Sequence, residues 1–508
     1  MAMNNEILLG VRKPARYIGQ EWNVSRKDFE KSGIKFGLCF PDLYEIGMSN
    51  LGVRILYGLL NKQEDVACER IFSSDLDMES LIRAAKTDIL SLESGRKLRE
   101  FDILGFSLAS ELDYTNVLNL LDLGGIPLKA SLRDESFPLV IAGGPSTLNP
   151  EPMHEFFDIF VIGEAEEALL EVLDVYRSHQ ALSKNKQELL LSLAQIEGIY
   201  VPSLYEARYS PDGSLQEFKP KAKGVPERVR KRFVLDLDAS FFPVDWLVPY
   251  IQIVHDRITV EIMRGCPNKC RFCQARSGYY PFRVRNVKNI IGLAEEAYRR
   301  TGYEEISLCG LSVSDHPGIE EISKSLIGLF KERAVSLSLP SVKPKDGLGN
   351  VSSVIAGIKK TGLTFAPEAG NRRLREAIGK DFDEEDFFQN LERAYSDGYQ
   401  RVKLYFMIGL AGEEEKDLED MVNFAKRVSD ARRKSKNASA FVNISVNTLI
   451  PKPHTAMQWL GMSDRARIQG KQDFLKSRSR NRNLVSSFQG FELSLLEGAL
   501  SRGGRRII

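Results

Sequence analysis

Short, unbroken apolar runs recur along this chain, each followed by a small-residue or polar turn and then by a stretch with apolar positions three and four apart. Ile34 to Phe40 (IKFGLCF) reads as a buried strand, and Leu51, Ile55 and Leu59 mark one face of the helix after it. Further strand-like runs lie at Ile103 to Leu108, Leu139 to Ala142 and Ile159 to Ile162. Their turns read Ser107 to Asp113, Gly143-Gly144-Pro145 and Gly163-Glu164-Ala165-Glu166. Strands alternating with helices predict a doubly wound, Rossmann-like parallel sheet, which binds ligands beyond the carboxyl ends of its strands. Glycines in those turns would let the backbone approach a flat ligand closely.

From Ile258 the alternation starts again and runs through six strand–helix units. The strands are Ile258 to Ile262, Glu305 to Leu308, Val335 to Leu339, Leu363 to Ala366, Val402 to Met407 and Val442 to Leu449. Helices are predicted around Val287 to Arg300, Gly318 to Lys331, Val351 to Lys359 and Arg372 to Asp397, and through Leu418, Met421, Val422, Ala425 and Val428. Such a series builds a partial (β/α)6 barrel, with its chemistry at the carboxyl ends of the strands. The stretch between the two series is of mixed charge, with a turn signal at Pro211-Asp212-Gly213 and a basic cluster at Arg228, Arg230, Lys231 and Arg232. It reads as a linker or small β extension, its basic cluster a solvated face. The expected α/β organisation is therefore a sheet domain over 1–205, the extension over 206–250, the barrel over 251–460 and a basic tail over 461–508.

A chain of 508 residues with 43% hydrophobic content has room for several full cores. Its formal net charge of +1 gives no global reason to expect a nucleic-acid or membrane partner. No apolar run of ~18 residues is present, so a soluble, cytoplasmic protein without a membrane partner is expected. Six cysteines in a chain of this size do not make a disulfide framework.

Three of them carry the strongest signal. Cys266, Cys270 and Cys273 stand in MRGCPNKCRFCQAR, directly after the alternating run Ile258, Val260, Ile262. Three thiolates on one loop at a strand end suit a soft metal centre, either zinc or an iron–sulfur cluster, but ordinary sites of both kinds take four protein ligands. Cys39, Cys68 and Cys309 lie far away in sequence, two of them in apolar runs that suit small buried side chains. A cluster held by three cysteines leaves a metal position open, as catalytic metal sites do.

That spacing, with Phe272 just before the third cysteine, resembles the radical S-adenosylmethionine (SAM) superfamily. The resemblance implies a [4Fe–4S] cluster whose free iron chelates SAM. An electron from a low-potential donor of flavodoxin or ferredoxin type then cleaves SAM to methionine and a 5′-deoxyadenosyl radical. It also implies SAM contacts from Phe272, from Gly310 and Ser312 after the second barrel strand, and from Glu368 and Arg372 after the fourth. There a carboxylate would suit the ribose hydroxyls and an arginine the SAM carboxylate. Ile408 and Gly409 in MIGLAGE match the adenine-contacting segment, with Ala411 where proline is usual.

The stretch AGGPSTLNPEP…IGEAEEALLEVL resembles the cobalamin-binding domain ahead of many radical SAM cores, which would place Ser107, Gly143, Gly144, Gly163 and Glu164 near cobalamin. The D-x-H-x-x-G motif of cobalt-ligating domains is absent, and neither His154 nor His179 replaces it, so cobalamin would bind without a protein histidine. The implied reaction is methylation of an unknown substrate with cobalamin as methyl carrier. The alternatives are an RNA-modifying methylthiotransferase-like enzyme without cobalamin and a non-catalytic iron–sulfur protein that binds nucleic acid. Methylthiotransferases carry a second three-cysteine cluster in the N-terminal domain, and only Cys39 and Cys68 are offered here.

Two features stand apart. His454 in PKPHT reads either as a proton carrier or as a loop residue. The segment 461–508 holds ten Lys/Arg against four acids, a net +6 that could contact RNA, although a solvated helical face is the plainer reading.

Overall fold

The computed structural model describes residues 5–182, 185–338, 362–479 and 482–507. The chain divides into two compact units, the first formed by Met1–Asp256, Glu296–Gly302 and Gly503–Ile508 and the second by Arg257–Glu295 and Tyr303–Arg502.

In the first unit β1 (Ile34–Phe40), β2 (Val66–Phe72), β3 (Ile103–Ser107), β4 (Leu139–Gly143), β5 (Ile159–Val161) and β6 (Ile199–Tyr200) form one sheet. Their spatial order is β2-β1-β3-β4-β5-β6. The first five strands are parallel and β6 is antiparallel to β5. Helices follow the strands, so the strands read as near-continuous apolar runs. Order 2-1-3-4-5 reverses direction between β1 and β3, and the carboxyl ends of those strands are where such sheets hold ligands.

Strand β2 (VACERIF) was not legible, because Glu69 and Arg70 interrupt its apolar run although both are buried. Arg70 lies between Glu21 (2.7 Å) and Glu93 (2.6 Å), while Glu69 accepts from the hydroxyls of Ser91 and Ser94 at 2.5 Å each. Charge compensation thus lets a polar pair sit in a buried strand. After β6 comes an antiparallel hairpin of β7 (Tyr205–Tyr209) and β8 (Leu215–Pro220), which turns through Gly213 at φ +86°.

The second unit contains two parallel sheets. One has the order β13-β12-β9, from β9 (Ile258–Glu261), β12 (Glu305–Cys309) and β13 (Ser336–Ser338). The other has the order β14-β15-β16-β17, from β14 (Leu363–Glu368), β15 (Arg401–Ile408), β16 (Phe441–Thr448) and β17 (Leu484–Phe488). A small ribbon of β10 (Met263–Arg264) and β11 (Arg283–Val284) completes it. Six parallel strands at the expected places bear out the partial-barrel series, although no pairing joins the two sheets among the described residues. The expected helix Val351 to Lys359 lies outside the described residues.

The segment expected to be a basic tail supplies the helix Arg465–Arg478, the seventh parallel strand β17 and the helix Phe491–Arg502. Its strand is only LVSSF, half polar, and too short to show a period beside its charged neighbours. The core of this second sheet is aromatic. Phe387 and Phe424 stack at 5.5 Å, with Phe365 edge-on to Phe387 at 5.1 Å.

Candidate metal and cofactor site

The pairing of Met263 with Val284 and of Arg264 with Arg283 closes a loop over 265–282 that carries all three cysteines. All six cysteines of the chain are free thiols. The loop docks through Arg271, whose backbone N donates to Ile378 O at 2.8 Å and whose side-chain Nη1 donates to Ala377 O at 2.9 Å. Phe272 packs against an apolar group formed by Ala369, Leu374, Ile378, Met407, Leu410, Leu449 and Met457. Most of these residues end or follow β14, β15 and β16, so the aromatic between the second and third cysteines anchors the loop to those strand ends.

Burial pushes the Cys270 thiol up; Lys380 opposes this, and Cys273 and Cys266 add to it. Among the described residues no three His, Cys, Asp or Glu side chains converge on a single ion. A four-iron cluster does not ask for that, since its cysteines ligate different irons. Three free thiols on one docked loop fit a cluster.

Glu368 ends β14 at a register shift against β15, with φ +66°, a conformation that costs a non-glycine residue about 1 kcal/mol or more. Its carboxylate accepts from Lys380 Nζ at 2.8 Å, and that ammonium also lies 5.8 Å from the Phe272 ring centroid. Burial raises the Glu368 carboxyl while Lys380 draws it back. Arg372 does not join this group. Its side chain is 76% exposed and pairs with Glu376 (2.7 Å) and Asp381 (3.6 Å), and the cation beside Glu368 is Lys380. The helix Arg372–Ala377 starts at Asn371, whose Oδ1 accepts from Leu374 N at 3.1 Å and whose Nδ2 reaches Asp417 (2.6 Å) and Asp420 (2.9 Å).

Beyond β15, Gly409 N donates to Glu413 Oε2 at 2.8 Å, and the same carboxylate is paired with Lys471. Ile408 is fully buried and its carbonyl accepts from Leu449 N at 2.9 Å. After β12, Gly310 lies against Met263, where a Cβ would meet Cγ at 2.4 Å. Ser312 is 3% exposed with a buried hydroxyl that has no hydrogen-bond partner among the described residues, and the hydroxyl of Thr448 at the end of β16 is in the same state. The Cys309 thiol is pushed up to about 11 by burial, with Glu261 nearby. His454 is exposed at φ +60°; its carbonyl accepts from Ser277 Oγ at 2.6 Å, so its backbone holds the loop.

In the first unit, Ser107 and Gly143 lie side by side in register at the ends of β3 and β4. The next turns are closed by the chain itself. Gly144 backs onto Leu108, whose carbonyl would stand 2.6 Å from an added Cβ. At Gly163 an added Cβ would meet Arg232 O at 2.1 Å, while Glu164 N donates to Arg232 O (3.0 Å) and Glu164 Oε2 accepts from Val234 N (2.7 Å). The close approach these glycines permit is thus made by segment 231–234 and by Leu108, whereas Ser107 and Gly143 are half-buried at the strand ends. Arg232, read as part of a solvated face, pairs with Glu167 (2.7 Å) and Glu171 (2.8 Å). Cys39 and Cys68 are fully buried on neighbouring strands, where desolvation raises both thiols.

Two family models match the chain, one described as radical SAM proteins, N-terminal, over residues 52–202, the other as the radical SAM superfamily, over residues 260–425. The chain belongs to the radical SAM superfamily. This radical SAM enzyme is 27% identical over 475 residues to the uncharacterised protein MJ0966 of Methanocaldococcus jannaschii, covering 92% of this chain and 89% of the relative. It is 26% identical over 244 residues to a tRNA-2-methylthio-N(6)-dimethylallyladenosine synthase of Clostridium novyi, covering 41% and 53%. Among solved structures it resembles the radical SAM methyltransferase TsrM of Kitasatospora setae with cobalamin and a [4Fe–4S] cluster bound. That likeness has a TM-score of 0.54 at 13% identity, over 83% of this chain and 76% of the other. The cobalamin-dependent radical SAM enzyme OxsB, with aqua-cobalamin and SAM bound, gives 0.52 at 13%, over 87% and 56%.

No helix among the described residues is long and apolar enough to cross a membrane. Several cations of 461–508 are used within the enzyme: Lys471 by Glu413, Arg465 by Glu492 (2.5 Å), Arg502 by Leu460 O (2.8 Å) and Arg505 by Glu151 (2.6 Å). Sequence reading missed Lys380, Lys471, Asn268 and Asp315, whose partners lie 12, 58 and 47 positions away. No local periodicity reports such pairs.

Proposed function

We propose that this radical SAM enzyme binds a [4Fe–4S] cluster through Cys266, Cys270 and Cys273, cleaves SAM reductively, and methylates a substrate using cobalamin as methyl carrier. The observation that carries the reading is the three-thiol loop docked through Phe272 onto the barrel strand ends, with Glu368 and Gly409 at the ends of the paired strands β14 and β15 and Ser312 in the turn after β12. When bound, the cluster would supply one electron and one open iron position to SAM.

The chain's own groups do the rest. Glu368, held in a strained conformation by Lys380, presents a fixed acceptor for ribose hydroxyls. The turn after β15 is held by Glu413 through the Gly409 N–H, which fixes the backbone beside which adenine would sit. Phe272 and its apolar group exclude water beside the thiols.

For cobalamin the support is the 2-1-3-4-5 sheet with Ser107 and Gly143 in register at its carboxyl edge, together with the fold shared with TsrM and OxsB. Neither Cys39 nor Cys68 is available for a second cluster of methylthiotransferase type. A flavodoxin- or ferredoxin-type donor would supply the electron, in the cytoplasm.

The test is anaerobic reconstitution of the full chain with iron and sulfide, reduction with dithionite, and assay of 5′-deoxyadenosine and retained corrinoid, with and without hydroxocobalamin. The control replaces Cys266, Cys270 and Cys273 together by alanine. Wild type should make 5′-deoxyadenosine and retain corrinoid, and the triple variant should lose cleavage while keeping corrinoid. Cleavage without retained corrinoid would remove the cobalamin half of the proposal. A loaded cluster with no cleavage would remove the SAM half.

A further inference from the structure

Within the cysteine loop one side chain faces both the thiols and a second element. Asn268 Nδ2 lies 3.1 Å from Cys266 Sγ and 3.0 Å from Asp315 Oδ2. A carboxamide nitrogen has two protons, and these two acceptors take one each. The orientation of the amide follows from chemistry alone: a carboxylate and a thiolate both accept, so nitrogen rather than oxygen must face them. Asp315 is itself fixed. It ends the turn Val313–Asp315 after β12, and its N–H donates to Ser312 O at 2.9 Å. That turn is tied further by His316, whose Nδ1 accepts from Gly318 N (3.0 Å) and whose Nε2 therefore donates to Arg285 O (3.0 Å).

We infer that Asn268, held in place by Asp315, is a positioning residue that donates a hydrogen bond to the Cys266 ligand sulfur and sets the reduction potential of the cluster. The inference rests on the reading that these cysteines hold a [4Fe–4S] cluster. Reduction adds negative charge that is shared with the cysteine sulfurs, and a donor at a sulfur stabilises the more negative state. Hydrogen bonds to the sulfurs are accordingly one of the levers on cluster potential. Asp315 keeps the carboxamide aimed at the sulfur instead of at water. Cys270 and Cys273 have no such side-chain donor within the described contacts, so the bond singles out one of the three ligands.

The experiment uses the reconstituted full chain and reads the midpoint potential by electron paramagnetic resonance during a redox titration, in wild type, Asn268→Ala, Asn268→Ser and Asp315→Ala, each normalised to iron and sulfide content. A hydrogen bond to a charged group is worth about tenfold in an equilibrium constant. Asn268→Ala should therefore fall below wild type by about that factor, ~59 mV for a one-electron couple. Asp315→Ala should fall by less, and Asn268→Ser, which keeps a donor, should lie between Asn268→Ala and wild type. Equal midpoints in wild type, Asn268→Ala and Asp315→Ala at equal cluster content would overturn the inference. If Asn268→Ala does not assemble a cluster, Asp315→Ala decides alone, because it leaves the cysteine loop untouched. A wild type that assembles no four-iron cluster would instead overturn the functional reading, and the inference with it.

Discussion

Glu368 is the residue on which the site's geometry depends most, and the forces on it are opposed. Burial favours its neutral form, Lys380 favours the carboxylate, and its positive φ persists only because the surroundings hold it there. Lys380→Met removes the partner of a largely buried charge, which costs about 3 kcal/mol, more than the pair itself contributes. In urea denaturation of the full chain, Lys380→Met should therefore be clearly destabilising, and adding Glu368→Gln should recover most of the loss. If the two losses simply add in the double-mutant cycle, the pair is not coupled and the account of Glu368 fails.

At the scale of elements, the junction of β3 with the helix Tyr114–Leu123 gives a pH dependence. Asp113 accepts from Ser110 N at 2.9 Å, yet burial pushes its carboxyl up to about 6, with Asp42 and Glu111 adding repulsion. Its folded value lies above its ordinary 3.8, so between these values the folded state holds a proton that the unfolded state has lost. Stability from this group falls as pH rises from about 4 through 6, and the penalty is complete above that. Asp113→Asn, which keeps the acceptor, should match wild type near pH 4 and be more stable at pH 7.5 by about 1 kcal/mol after allowance for solvent screening. A thermal-melt difference independent of pH would refute it.

Junctions of this kind also explain what was legible. β1, β3, β4 and β5 could be read because unbroken apolar runs are what two-sided burial demands, and barrel strands such as Ile258–Glu261 and Phe441–Thr448 because their apolar residues alternate. By contrast β2 was hidden by the charges of Glu69 and Arg70, whose partners are remote, and β17 by its five half-polar residues. The three cysteines were legible because one loop carries them all. Lys380 was not, since only the fold brings it to Glu368, and Arg372, the cation the motif offered, turns outward.

On the scale of the whole molecule, the order of the chain and the order of the units differ, because Gly503–Ile508 belongs to the first unit although the second is complete by Arg502. Arg505 is the fastener. Its guanidinium reaches Glu151 Oε2 (2.6 Å), the Tyr200 hydroxyl (2.8 Å) and the carbonyls of Tyr205 (3.0 Å) and Pro202 (3.3 Å). Burial works against that charge, and Tyr200 and Glu151 more than offset it, so the arginine stays ionised. These bonds join β6 and β7 to the turn that contains Glu151, all within the first unit. Arg505→Ala leaves Glu151 and Tyr200 short of a donor, a loss of about 2 kcal/mol for half-buried charge-assisted bonds. Hydrogen exchange should show faster opening over 199–209, while iron content after reconstitution stays at the wild-type level because every proposed ligand lies in the second unit. Loss of iron together with opening of 199–209 would mean that the two units do not fold as separate stabilities, and that the cluster loop depends on the last residues of the chain.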